Sequence, residues 1–200
     1  MPSAERRQRE RSETHDRILH AAVALAHEEG WQGVTMRKIA ERIEYTHAAL
    51  YPYFATKEVL LLALFRHGTD LLIADIHAAS AAATIPDDAL LAVARAYWDF
   101  AWRHRELYEV MNGLGGVSLS HPDTVREGQR IGDAVSATIR AALAHHDATL
   151  DDLDAEITLL WASLHGLIAL ALAGRLPQEA SARYLVRLVH NARAAWGIAP

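Results

Sequence analysis

Cysteine is missing from all 200 residues. Its absence excludes a disulfide framework, a thiolate metal site and a thiol nucleophile, and suits a cytoplasmic protein. Lysine is nearly missing too, with Lys38 and Lys57 the only two. No uninterrupted apolar run approaches the ~20 residues of a membrane span. The longest runs, Val59 to Phe65 and Leu167 to Ala173, fall far short. The N-terminus is no secretory signal, because Glu5, Glu10 and Glu13 lie among its arginines where an apolar segment would be needed. Sustained period-two alternation and β-branched clusters are also lacking, whereas Ala and Leu abound, which predicts an all-α fold. Half the residues are hydrophobic, yet mean hydropathy is near zero, so the apolar positions are spread periodically.

Twelve histidines raise the question of a metal. Adjacent His145 and His146 cannot share one helix face, and there is no H-E-x-x-H arrangement, so neither a metal nor a cofactor is expected. The net charge of -5 is unevenly placed. Residues 1–60 carry nine basic and nine acidic side chains, and the whole acidic excess lies beyond them. Four arginines, Arg6, Arg7, Arg9 and Arg11, crowd the first eleven residues. The N-terminal end is therefore the one able to approach a polyanion.

The apolar pattern predicts about nine helices. Ser12 is placed to cap the first, with Glu13 and Asp16 at the positive end of its dipole. Ile18, Ala21, Ala22, Leu25 and Ala26 make one apolar face, which Gly30 ends. Thr35 caps a second helix whose Ile39, Ala40 and Ile43 turn inward. Thr46 caps a third, anchored by Leu50 and Phe54 and ended early by Pro52. Only three residues part Arg42 from Thr46, so these helices meet steeply, as in a helix-turn-helix spanning about residues 35–54. Thr56 caps a long fourth helix reaching about Ala79. Five more run from Pro86 to about His104, Glu106 to Met111, Pro122 to about His146, Leu150 to Gly174 and Pro177 to Trp196. The breaker-rich stretch from Asn112 to His121 is the clearest loop.

The exposed face of the third helix presents Thr46, His47, Ala48, Tyr51 and Tyr53. Hydroxyls, an imidazole and a methyl suit base edges and the thymine methyl of a major groove. Thr35, Arg37 and Lys38 at the start of the second helix, and Lys57 at the start of the fourth, are placed for phosphates. The N-terminal arginines read as a disordered arm that orders along DNA, or equally as a solvated tail.

Residues 12–72 resemble the DNA-binding domain of the TetR family of bacterial transcriptional regulators. The resemblance is carried in register by Ile18, Ala21, Ala22, Gly30, Gly33, Thr35, Arg37, Ile39, Ala40, Leu50, Tyr51, Phe54, Lys57, Glu58 and Leu60. It implies a helical homodimer, with a DNA-binding domain over residues 12–72 and a ligand-binding and dimerisation domain over residues 73–200. Two residues depart from the pattern. Glu44 stands where the family commonly has a turn glycine, and Pro52 where a polar or basic residue is frequent. The first predicts strain or a different turn, the second a lost phosphate contact.

The last two helices are apolar on more than one side, which predicts burial against a second copy. Leu153, Ile157, Leu160, Leu164, Ile168, Tyr184 and Leu188 are the expected dimer interface. Trp161, His165 and Gly166 spell W-x-x-x-H-G, which resembles the C-terminal signature of the Trp-His-Gly subgroup of that family. Trp161 and His165 share one helix face, either as part of a pocket or as packing beside the dimer seam. With Phe65, Trp98, Trp102, Tyr108 and Met111 they form the expected lining for a small apolar or aromatic effector.

These features predict a ligand-responsive transcriptional regulator, of repressor type, that binds a pseudo-palindromic operator in double-stranded DNA as a homodimer. Membrane attachment is not expected. Two alternatives stand beside it: an enzyme built in the helical body, and a protein-interaction module with a degenerate head. No nucleophile–base pair or paired-carboxylate motif supports catalysis, and no catalytic residue is assigned.

Overall fold

The computed structural model describes residues 2–198 and contains no strand among them. Eight α-helices and one 3-10 turn realise the all-α expectation. They are α1 (Pro2–Glu29), α2 (Met36–Arg42), the 3-10 turn (His47–Leu50), α3 (Lys57–Ala82), α4 (Pro86–Arg103), α5 (Arg105–Asn112), α6 (Pro122–His145), α7 (Leu153–Leu172) and α8 (Gln178–Ala195). The chain divides into two compact units: Met1–Gly68 with His104–Val125, and Thr69–Arg103 with Arg126–Pro200. The first unit thus includes His104–Val125 as well as the N-terminal residues.

The first unit is built around Ile18, Ala22, Trp31, Ile39, Leu50, Phe54, Leu60 and Leu64, all buried. Gly30 ends α1 at φ 73°, as its position predicts. Trp31 then turns inward, and its indole N–H donates to the Glu106 carbonyl at 3.2 Å. His27 Nδ1 lies 2.7 Å from Glu106 Oε1, so the end of α1 and the start of α5 are joined twice. On α5, Leu107, Tyr108 and Val110 are buried. Gly68 admits the Met111 thioether closely, since a Cβ there would lie 2.6 Å from Sδ.

Two helices differ most from the sequence reading. α1 begins at Pro2 instead of near Ser12, so the arginine-rich segment is helical and not a disordered arm. Its Arg, Glu and Gln residues are good helix formers with no breaker among them, and Arg6 and Glu10 pair at 3.4 Å across one turn. The expected third α-helix is only the 3-10 turn His47–Leu50, and Thr46 makes no side-chain cap bond to it. Pro52 lacks an N–H and stops the turn from lengthening. Thr35 and Thr56 do cap, accepting at 3.2 Å from Lys38 N and Val59 N.

The corner between α2 and the 3-10 turn explains Glu44. Tyr45 N donates to Ala40 O at 2.9 Å and Glu44 N to Glu41 O at 3.2 Å. This paired closure is a Schellman motif, which places its C′ residue in the left-handed region. Glu44 occupies that position with φ 62°, so a glutamate adopts a conformation suited to glycine.

The second unit is held by polar ties between its helices as well as by its core of Phe100, Ile139, Ile168 and Leu185. Asp87, in the first turn of α4, accepts from Arg193 Nη2 on α8 at 2.6 Å and meets His146 Nε2 at 2.9 Å. Trp196 Nε1 donates to Glu156 Oε2 at 2.7 Å, tying α8 to α7. By length and composition α7 is apolar enough to cross a membrane, because its helix joins apolar runs that the sequence shows as short. Much of that apolar surface, including Leu159, Trp161 and Leu170, is exposed within this chain.

Replacing Glu44 with glycine is expected to stabilise the protein. The left-handed penalty of about 1–2 kcal/mol is relieved, against a smaller cost from glycine's extra freedom. Thermal unfolding should show a rise of roughly 1–4 °C; a lower melting temperature would contradict the strained corner.

Candidate functional site

The corner and the 3-10 turn set out one exposed polar surface on the first unit. Leu50 and Phe54 are buried beneath it and fix its position. Thr46, His47, Ala48 and Tyr51 are exposed above them, and Tyr53 is half-buried. The His47 and Tyr51 rings meet edge to face at 5.1 Å, which holds one polar tip beside the other. Thr35 is exposed, with its hydroxyl engaged as the α2 cap.

The cations nearby are less available than their spacing suggests. Arg37 pairs with Glu41 at 3.0 Å. Lys38 is paired with Glu29, and Arg42 with Glu28, whose carboxyl it holds below the usual range. Lys57 is the clearest departure from expectation. Its Nζ donates to the carbonyls of Trp31 at 2.9 Å and Val34 at 2.7 Å, and partial burial lowers its pKa. Two of its three N–H donors are thus used inside the unit, bracing the start of α3 against the turn after α1.

Positive charge reaches the surface from another direction. Arg11 Nη2 donates to the Pro52 carbonyl at 3.3 Å, and its guanidinium lies 6.0 Å from the Tyr53 ring centre. Arg7, Glu10, Arg11, Thr14, Tyr45, Pro52 and Tyr53 line a groove of 360 Å³. Arg17 stacks over Tyr45 at 5.5 Å and donates to the Ile43 carbonyl at 3.0 Å. Tyr45 and Arg17 are not singled out by the sequence pattern, and Arg11 figures there only among the four arginines of the N-terminal arm. The signal that would have placed Arg11 here is the continuation of α1 back to Pro2, which puts Arg7, Arg11 and Thr14 on one face.

The expected effector residues are divided. Phe65 and Tyr108 are buried in the first unit, where Met111 is half-buried against Gly68. Trp98, Trp102, Trp161 and His165 belong to the second unit. The Trp98 and Trp102 rings are 6.0 Å apart. Trp161 stacks on His165 at 5.7 Å with 18° between the planes, and donates from Nε1 to the Tyr97 hydroxyl at 3.1 Å. Burial lowers the His165 pKa and favours the neutral ring.

The expected dimer residues are likewise divided. Leu164 and Ile168 are buried within the unit and face its own core, which corrects their assignment to an interface. Leu153, Ile157, Leu160 and Leu188 are half-buried and Tyr184 is exposed. The outward stripe of α7 lies part of a turn away, along Ala155, Leu159, Ala162, Gly166, Leu170 and Ala173. A Cβ at Gly166 would meet nothing within 4 Å. Among the described residues no group of His, Asp and Glu is arranged to hold a metal.

Residues 18–64 match the family model for bacterial regulatory proteins of the tetR family. Residues 90–192, just over half the chain, match the model for tetracyclin repressor-like C-terminal domains. The HTH-type transcriptional repressor NicS of Pseudomonas putida is 28% identical over 102 residues, covering 49% of this chain and 46% of that protein. The chain thus matches about half the length of this curated relative. A Rhodococcus protein of unknown function has the same fold, with a TM-score of 0.78 and 24% identity over 91% of this chain and 94% of its own. RolR in complex with resorcinol is also similar in fold, with a TM-score of 0.66 and 19% identity over 94% of each chain.

The two carbonyl bonds make Lys57 a brace. Lys57→Met is expected to lower stability by about 1–3 kcal/mol in urea unfolding, because the Trp31 and Val34 carbonyls lose their donor. Unchanged stability, with a salt dependence of DNA binding shallower by about one phosphate contact, would restore the role expected from the sequence.

Proposed function

Because this chain belongs to the TetR family of bacterial regulatory proteins, we propose that it acts as a homodimeric repressor whose hold on operator DNA is released by a small effector. The observation that carries the reading is the exposed surface of Thr46, His47, Ala48 and Tyr51, mounted on the buried anchors Leu50 and Phe54. Those side chains supply donors, acceptors and a methyl at the scale of a base-pair edge. Tyr53, Thr35, Arg37 and Lys38 border them toward the phosphates, where Arg11 adds a cation beside Pro52. This arginine offsets the polar or basic residue that is frequent in the family where this chain has Pro52.

Dimerisation is supported by the outward faces of α7 and α8. Leu159, Leu170, Tyr184 and Val186 are exposed, interspersed with Ala155, Ala162, Gly166 and Ala173, whose small side chains permit close helix approach. An apolar face of this kind suits a second copy meeting it as a four-helix seam. A soluble dimer of this kind operates in the cytoplasm, where its DNA lies. Trp98, Trp102, Trp161 and His165 supply aromatic surface for an effector, and the similar fold of RolR is one that received resorcinol, a small aromatic. The effector acts by binding more tightly to the state with lower operator affinity. Turnover is no part of this reading, which assigns no catalytic residue.

DNA from the region upstream of the protein's own operon should form a specific, salt-sensitive complex in gel-shift titrations. His47→Ala and Tyr51→Ala should each weaken it about tenfold or more relative to random DNA. Absence of any specific complex would end the reading. Separately, Leu159→Glu should convert a dimer to a folded monomer in sedimentation equilibrium, and a dimer undisturbed by that charge would rule out the α7 face as the seam.

A further inference from the structure

Two buried polar atoms of the second unit, Thr69 Oγ1 and Trp102 Nε1, have no hydrogen-bond partner. Comparable groups elsewhere in the protein do. Thr14 and Thr158, also within helices, turn their hydroxyls to the carbonyl four residues back, at 2.9 and 2.8 Å. Thr69 is fully enclosed on α3 and does not. The indoles of Trp31, Trp161 and Trp196 donate to a carbonyl, a phenol and a carboxylate. Trp102 keeps its N–H from solvent and donates to none. Enclosing such groups without partners costs stability, so their retention points to a ligand that completes them.

Both atoms lie in the second unit. Arg103 Nη2 bonds to Asp75 at 2.8 Å and fixes the end of α4 beside the middle of α3. Thr69 is six residues before Asp75, about 9 Å along the helix, and Trp102 immediately precedes Arg103. Leu72 and Ile76, both fully buried, continue the face of α3 on which Thr69 lies. Trp98 places a second ring 6.0 Å from Trp102. The charge nearby is fixed. Asp70, next to Thr69, and the buried Glu127 share Arg130 at 2.7 and 2.6 Å. Two carboxylates against one guanidinium disfavour an anionic ligand.

We propose that Thr69 and Trp102 are the polar contacts of the effector site, and that the effector is a neutral aromatic molecule with a hydrogen-bonding oxygen at each end. One oxygen accepts from the Trp102 N–H, and the other, a hydroxyl or carbonyl, pairs with the Thr69 hydroxyl. Aliphatic and indole surfaces between them take the ring. This assignment rests on the reading of the helical body as the receiver of a small effector.

The test compares 4-hydroxyacetophenone with its apolar isostere 4-isopropenyltoluene, each titrated into the full chain by calorimetry. The polar probe should bind about tenfold more tightly, and Thr69→Val and Trp102→Phe should each remove most of that preference while sparing the apolar probe. Without any probe, Thr69→Val, which keeps the side-chain shape, should raise the melting temperature by roughly 2–4 °C, as an unpaired hydroxyl is removed. A fall in melting temperature would mean that the hydroxyl is already satisfied, and would overturn the proposal. Equal affinity for the two probes, a preference unchanged in both variants, or binding of neither probe would overturn it too. Operator binding by the same samples separates the two levels. Intact, specific DNA binding with failed probes removes only this effector assignment, whereas loss of specific DNA binding removes the repressor reading beneath it.

Discussion

The ammonium of Lys57, held between the carbonyls of Trp31 and Val34, is the contact on which the arrangement of the first unit depends. Those carbonyls belong to the turn that follows α1, and Lys57 opens α3. Trp31 also passes its indole N–H to Glu106 at the start of α5. One buried tryptophan and one partly buried lysine therefore bring the ends of three helices to a common point. The 3-10 turn occupies the short span between α2 and α3, and its anchors Leu50 and Phe54 pack into the core this junction encloses. The exposed polar surface over the turn, only a few side chains wide, is held in place by this rigid seat.

A consequence is a division of labour among the cations. Lys38, Arg42 and Lys57 are drawn into pairs or carbonyl contacts within the unit. The guanidinium that stands beside the 3-10 turn comes instead from Arg11, carried there by the extension of α1. Pro52 removes a side-chain donor from the turn but leaves a carbonyl, and that carbonyl receives Arg11. The strained Glu44 belongs to the same economy: the Schellman closure sets the angle of the turn, and the motif persists with a residue that tolerates it poorly.

Much of the fold was legible in the sequence because its signals are local. Gly30, Thr35, Thr56 and Pro122 mark helix ends through backbone chemistry that needs no distant partner. The left-handed turn at Glu44 was visible for the same reason. The site was legible in outline only. Exposure of His47 and Tyr51 follows from a helical pattern around Leu50, even though the element is a 3-10 turn. The engagement of Lys57 was hidden, since its acceptors are 26 and 23 residues away and are main-chain atoms without sequence identity. Leu164 and Ile168 illustrate the same limit on α7. A helix apolar around most of its circumference does not declare which leucine meets its own core and which remains for a partner.

The sequence by itself determined the class of the molecule: helices from composition and period, their ends from caps and breakers, and the family from about sixty residues in register. Those properties are encoded within a turn or two of chain. The tertiary structure alone decided which polar atoms are spent and which are left over. It used Lys57 as a brace, brought Arg11 to Pro52, and enclosed the Thr69 hydroxyl and the Trp102 N–H without partners. Hydrogen-bond satisfaction depends on groups that meet only when the chain has folded, so no pattern along the sequence could have assigned it.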